Sequence, residues 1–409
     1  MYDINEIRKH FPMLDGTKKM QNKPLVFLDN ASTTFKPQCV IDAMDKYYQE
    51  MTANSHRGDY DLSFKVDETV MQTREVVAKF VNCEPNEVVF TSGDTMSLNI
   101  VAYGFGFTNL KEGDEIILSE GEHASNLLPW FKVSKFTKAK IVYIPLDEEG
   151  KVTEENLLKV INKNTKVVSL AHVGNVMGFR LNIAKIAEIC HEFGAILVVD
   201  GAQSVPHFKT DFKNWDIDFL AFSGHKMCGP TGIGCLIGKK ELLDKLDPFI
   251  VGGGMNETFT KPNNLVPFEA PSKFEAGTLN IAGIFGLKAA IEFLESIGMD
   301  NIEKHETELK EYVVSKLKNS KVKIYNPTSE AGIITFNVEG TFAQDEATYL
   351  NYKGIAVRSG QHCDKLLNEF LCTPATCRAS FYFYTTKEEI DYFIESITNG
   401  GDFLDAYFD

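Results

Sequence analysis

Ile196-Leu197-Val198-Val199-Asp200-Gly201-Ala202-Gln203 is the stretch that decides how this chain is built. Four apolar residues in a row, with no polar alternation, suit a strand buried on both faces, as in a parallel sheet covered by helices. A helix-like stretch, Ile183 to Phe193, precedes it and ends at Gly194, a helix-terminating residue. The run closes on Asp200, at the strand end where an open α/β sheet binds its ligands.

The same grammar repeats on both sides. Apolar runs at Leu25–Leu28, Val88–Thr91, Glu115–Leu118, Lys140–Ile144, Val167–Ala171, Phe219–Phe222 and Gly232–Ile237 predict further strands. Helical stretches at Val40–Glu50, Val66–Val81 and Glu154–Val160 lie among them. After about residue 280 the pattern changes to two long helices, Ile284–Ile297 and Met299–Lys318, then strands at Gly332–Val338 and Arg378–Phe383 and a helix at Lys387–Thr398. The expectation is a large α/β lobe over residues 20–283 and a smaller α+β lobe from residues 1–19 and 284–409. Residues 252–272, rich in Gly, Asn, Pro and Thr, read as a long loop or projecting hairpin.

Bulk properties narrow the function. The 409 residues are 44% hydrophobic and 24% charged, an ordinary globular balance. A net charge of −15 without a basic block argues against nucleic acid or an anionic membrane as partner. The start, Met1 to Pro12, lacks the apolar run of a secretory signal, and no run approaches membrane-spanning length, so the cytoplasm is the expected compartment. Eight cysteines are scattered without disulfide or metal spacing, and no metal site is expected.

Polar residues at strand ends carry the candidate chemistry. Thr91-Ser92-Gly93-Asp94-Thr95 turns from strand to helix with free N–H groups and hydroxyls, which suits a phosphate as well as an ordinary cap. Asp200 is either bonded to loop backbone or set against a cationic ring nitrogen. In Ser223-Gly224-His225-Lys226 a lysine stands at the mouth of a buried strand, where desolvation makes an amine nucleophilic toward an aldehyde. His172-Val173-Gly174-Asn175 places an amide at the same rim, and His123 could lie flat on a ring. Arg358-Ser359-Gly360-Gln361-His362-Cys363-Asp364 sets a cysteine between a cation and a carboxylate. Arg378 offers a fork that fits a carboxylate.

Together with Leu28-Asp29-Asn30-Ala31-Ser32, His56-Arg57-Gly58, Gly229-Pro230-Thr231-Gly232 and Glu275-Ala276-Gly277-Thr278, these stretches resemble the SufS-type (group II) cysteine desulfurases, in the class V branch of fold-type I pyridoxal phosphate (PLP) enzymes. The resemblance implies a mainly parallel seven-stranded sheet plus a smaller α+β domain. It implies that Lys226 binds PLP covalently, Asp200 holds the ring nitrogen, Gln203 meets the ring oxygen and His123, a further catalytic residue, stacks on the ring. Thr95, Ser223 and His225 would hold the phosphate, completed by Thr278 from the other subunit of a homodimer. Asn175, which also touches cofactor, would fix the carboxylate of L-cysteine with Arg378; Arg358 stands near, and His56 and Arg57 line the entrance. Cys363 would take the sulfur as a persulfide and pass it to a SufE-like or SufU-like protein for iron-sulfur cluster assembly. Selenocysteine lyase uses the same residues, and a non-catalytic PLP-binding scaffold is the remoter alternative. Asp94, Gln361 and Asp364 depart from the usual residues of the family, and a carboxylate at Asp364 should raise the thiol pKa of Cys363. Phe342-Ala343-Gln344-Asp345 replaces the His-rich turn of members that work with zinc-carrying SufU.

Overall fold

The computed structural model describes residues 2–55 and 58–399. Seven strands form the central sheet: β1 (Val88–Thr91), β2 (Glu115–Ser119), β3 (Lys140–Ile144), β4 (Thr165–Ala171), β5 (Ile196–Asp200), β6 (Phe219–Ser223) and β7 (Gly234–Gly238). Their order is β1-β7-β6-β5-β4-β2-β3, and all run one way except β7, which is antiparallel to both neighbours. The strands β1, β6 and β7 are buried along their whole length, as their unbroken apolar runs require. At Gly234 a Cβ would lie 2.4 Å from the Phe222 carbonyl and 2.6 Å from Gly93 Cα. Only glycine lets β7 pass this close to the turn that follows β1.

A second sheet, order β8-β9-β11-β10, is antiparallel throughout and comprises β8 (Val322–Ile324), β9 (Ile333–Val338), β10 (Arg358–Gly360) and β11 (Thr376–Ser380). Leu309, Val313 and Leu317, spaced by four on the helix Met299–Leu317, pack against it with Ile390, Phe393 and Ile397 of the helix Lys387–Asn399. The helix Ile281–Ile297 packs on the helices Gln38–Glu50 and Asp61–Val81, and the expected lobe boundary at 283/284 falls inside it. Near the N-terminus, Arg8 pairs with Glu389 at 2.8 Å and donates to the Tyr384 carbonyl at 2.6 Å.

Two local expectations change, and a third is met. The strand expected over Arg378–Phe383 ends at Ser380, because Phe383 and Tyr384 leave the sheet to pack against Phe11. The strand expected over Leu25–Leu28 joins neither large sheet; Val26–Phe27 pairs in parallel with Ile355–Ala356. Residues 252–272 do contain a hairpin, Asn256–Thr260 with Asn264–Pro267, largely exposed. No described helix is long and apolar enough to cross a membrane.

Candidate active site

The carboxyl ends of β1, β4, β5 and β6 open on a cavity of ≈ 190 Å³. Thr95, His123, Asn175, Asp200, Gln203, Ser223, His225, Lys226, Arg358 and Arg378 all line it, so side chains from most of the chain's length meet there. Asp94 and His362 complete the polar wall.

At its centre Lys226 closes the short helical turn Gly224–Lys226 directly after β6. Burial pushes its amine below the usual lysine range and the guanidinium groups of Arg378 and Arg358 add to this, while Asp200 and Asp94 oppose it. Asp200 is buried; one carboxylate oxygen accepts from the Ala202 N–H at 2.9 Å, which aims the group from the end of β5. Gln203 donates its amide to the Ala31 carbonyl at 2.7 Å, leaving Oε1 buried without a protein partner.

Toward β1, Ser223 Oγ accepts from the Asp94 N–H at 2.8 Å, and Thr95 and Ser125 share a hydroxyl contact of 2.8 Å. Burial, with Lys226 and Lys36, lowers the pKa of His225 to about 4. His123 caps the helix Ala124–Thr137, its Nδ1 accepting from the Ser125 N–H at 3.1 Å, and burial pushes its pKa down.

On the opposite wall Arg358 and Arg378 face each other in the β10–β11 ladder, and both donate to Ser32 Oγ, at 3.0 and 2.9 Å. Arg378 also reaches Asp29 at 3.2 Å and the Asn175 carbonyl at 3.0 Å, while its buried Nε has no partner. Two cations held side by side by neutral groups and one acid make a receptor for a carboxylate. Asn175 directs its amide donor to the His362 carbonyl at 2.9 Å.

Cys363 is exposed beside this wall, 3.9 Å from Arg358 Nη2. Its carbonyl accepts from the Ala124 N–H at 2.8 Å, and both His362 and Cys363 take left-handed backbone, with φ of 51° and 61°. Asp364 corrects the expectation of a charged neighbour. The side chain is fully buried, neither carboxyl oxygen has a hydrogen-bond partner, and burial with the nearby Glu122 pushes its pKa well above the carboxylate range. It is held toward the neutral acid, away from solvent.

Thr278 does not reach Lys226 within this chain; it is exposed beside a separate, mainly apolar cavity of ≈ 230 Å³. His56 and Arg57 lie outside the described residues. Sequence reasoning assigned no role to Ser32, Asp29, Ser125 or Thr376. The first two stand in a quoted stretch, but only the fold shows that they meet the arginines.

The wall fits PLP. It offers a nucleophilic amine, a buried acid, a hydroxyl-rich helix start, and orphaned polar atoms on Gln203 and Arg378. The fold is that of fold-type I PLP-dependent aminotransferases. The pattern of the aminotransferase class-V family matches residues 26–393, and the chain belongs to that family. A relative from Halalkalibacterium halodurans, named probable cysteine desulfurase, is 46% identical over 391 residues, covering 95% of this chain and 96% of its own. The structure of the Escherichia coli cysteine desulfurase CsdA, as its S-sulfonic acid, superposes with a TM-score of 0.90 at 34% identity, covering 98% of both chains. The apo cysteine desulfurase from Thermococcus onnurineus NA1 does so at 0.91 and 36%, covering 97% of both.

Proposed function

We propose that the protein is a cysteine desulfurase of the group II, SufS-like type, which takes sulfur from L-cysteine onto Cys363 with PLP bound at Lys226. The observation that carries this reading is the line Lys226, paired arginines, Cys363: a cofactor lysine and an accessible thiol on either side of one carboxylate receptor. A transaminating or racemising enzyme has no need of the thiol.

PLP, when bound, supplies an aldehyde for attachment and an electron sink for charge released at the substrate Cα. Asp200 would hold the ring nitrogen, His123 and Gln203 would contact the ring, and Thr95, Ser223 and His225 would take the phosphate. Arg378 and Arg358 hold the substrate carboxylate, which points the substrate's sulfur toward the Cys363 loop. Lys226, freed when substrate binds, moves the Cα proton. Cys363, deprotonated, attacks the substrate sulfur; the S–S bond forms as the Cβ–S bond breaks, and the carbon keeps the electron pair and takes a proton on the way to alanine.

Thr278 serves the phosphate of a second subunit, consistent with its exposure beside an apolar cavity. The loop from Arg358 to Arg378 is short and pinned, so an acceptor protein of the SufE or SufU kind comes to Cys363, in the cytoplasm, to supply cluster assembly. Replacing Cys363 with Ala is the test: sulfide release from cysteine disappears while the cofactor's visible absorbance stays. Unchanged release would overturn the assignment.

A further inference from the structure

Asp94 opens the helix Asp94–Asn109 directly after Gly93 and lines the cavity of Lys226. Its backbone N–H donates to Ser223 Oγ, which fixes the residue between the ends of β1 and β6. The residue is only 6% exposed, and its Oδ1 reaches no hydrogen-bond partner. It is not the helix cap, since Gly93 occupies that position and no side-chain capping bond forms. An unpartnered buried carboxyl in a ligand cavity calls for a cation or a proton.

We propose that Asp94 is a positioning residue for Lys226: a second buried acid, beside Asp200, that shares the amine's proton and so governs when Nζ is free to react. The inference rests on the reading of Lys226 as the lysine that binds PLP. The charged and titratable groups around that amine are Asp200 at the end of β5, Asp94 at the start of its helix, Arg358 and Arg378 on β10 and β11, the neighbouring His225, and His123 at the cap of Ala124–Thr137. Burial drives the Asp94 carboxyl up, helped by Asp200 and opposed by Lys226, while it drives the Lys226 amine down. Acid and amine thus approach each other in proton affinity, and the proton belongs to the Asp94–Lys226 pair rather than to either member. With Asp200 alone, the nitrogen at Lys226 keeps its proton less strongly against two guanidinium groups.

The test is a pH titration of the full-length protein carrying bound PLP, read by the cofactor's visible absorbance, for the wild type, Asp94→Asn and Asp94→Ser. The proposal expects the midpoint to move to lower pH by about 1 in both variants, the scale set by removing one nearby opposite charge. A helix-start acid with no part in the site would leave the midpoint where it is in the wild type, and superimposable titrations overturn the proposal. If Asp94→Asn does not fold, Asp94→Ser decides alone; if neither folds, Asp94→Thr, which also lacks the acid, takes their place. A wild type that acquires no cofactor absorbance at all would instead overturn the assignment of Lys226.

Discussion

Asn175 donates its side-chain amide to the backbone carbonyl of His362 across 2.9 Å, tying the loop that follows β4 to the residue that precedes Cys363. Three further contacts hold the same loop: the Ala124 N–H on the Cys363 carbonyl, and the His362 ring on both the carbonyl and the hydroxyl of Thr376, each at 3.0 Å. These bonds keep two consecutive non-glycine residues in left-handed backbone, a conformation that persists only when its surroundings enforce it.

Asn175→Ala removes one clamp. We expect persulfide formation on Cys363 to slow by about tenfold, the equivalent of one hydrogen bond of ~1.4 kcal/mol. Single-turnover persulfide formation measures it, with cofactor absorbance as the control. An unchanged rate would show that the other contacts suffice.

Asp364→Asn keeps the shape and removes the acid. A carboxyl raised in the folded state is protonated there while the unfolded chain has lost its proton, so wild-type stability falls as pH climbs above the ordinary aspartate value of about 4. The stability difference in favour of Asn should therefore widen between pH 5 and pH 8, by at most about 1.4 kcal/mol per pH unit. Urea unfolding at both pH values tests this, and an equal gap at the two would mean that Asp364 is not held neutral.

Lys310 gives the opposite slope. It is buried on the helix Met299–Leu317 against the Ser329 hydroxyl, and burial lowers its pKa to about 7. The unfolded chain holds the proton from about pH 10 down, the folded chain only below about 7, so wild-type stability is lost as pH falls across that window. Lys310→Met should gain on the wild type as pH drops from 10 to 7, as read by thermal unfolding.

Arg74 and Glu275 form a buried two-pronged pair at 3.0 and 2.9 Å, and Glu275 also accepts the Phe90 N–H at 2.8 Å, hanging the turn before Thr278 on β1. Glu275→Gln leaves a buried guanidinium without its counter-charge and should cost about 3–5 kcal/mol. Replacing both residues with apolar side chains of similar volume should cost far less, since neither charge then remains buried. Denaturant midpoints of the single and double variants distinguish these outcomes.

The central sheet was legible because its strands are short, apolar and separated by helices or turns; all seven expected runs from Val88 to Ile237 fall on strands. The small sheet was half legible. Val322–Ile324 and Arg358–Gly360 have three residues each, too few for a periodic signal, and only pairing with β9 and β11 makes them strands. The helix Ala124–Thr137 was missed as a helix; Pro129 inside it is a breaker by local rules, yet it sits buried and tolerated by packing. In the site, Asp200 and Lys226 announced themselves at or just after strand ends, and Arg378, which lies inside β11, by its guanidinium fork. The buried state of Asp364 could not be read, because a charged-looking residue beside an exposed cysteine is covered only by parts of the fold far away in sequence, among which lies Glu122, whose charge adds to the cost of ionising it.

The most direct test incubates the PLP-loaded protein with L-cysteine and quantifies alanine together with persulfide on Cys363 by mass spectrometry. The account predicts up to one persulfide per Cys363 in stoichiometric step with alanine in the first turnover, and further turnover once an acceptor thiol is added. Cofactor bound normally with no alanine formed, or persulfide on another cysteine such as Cys372, would contradict it.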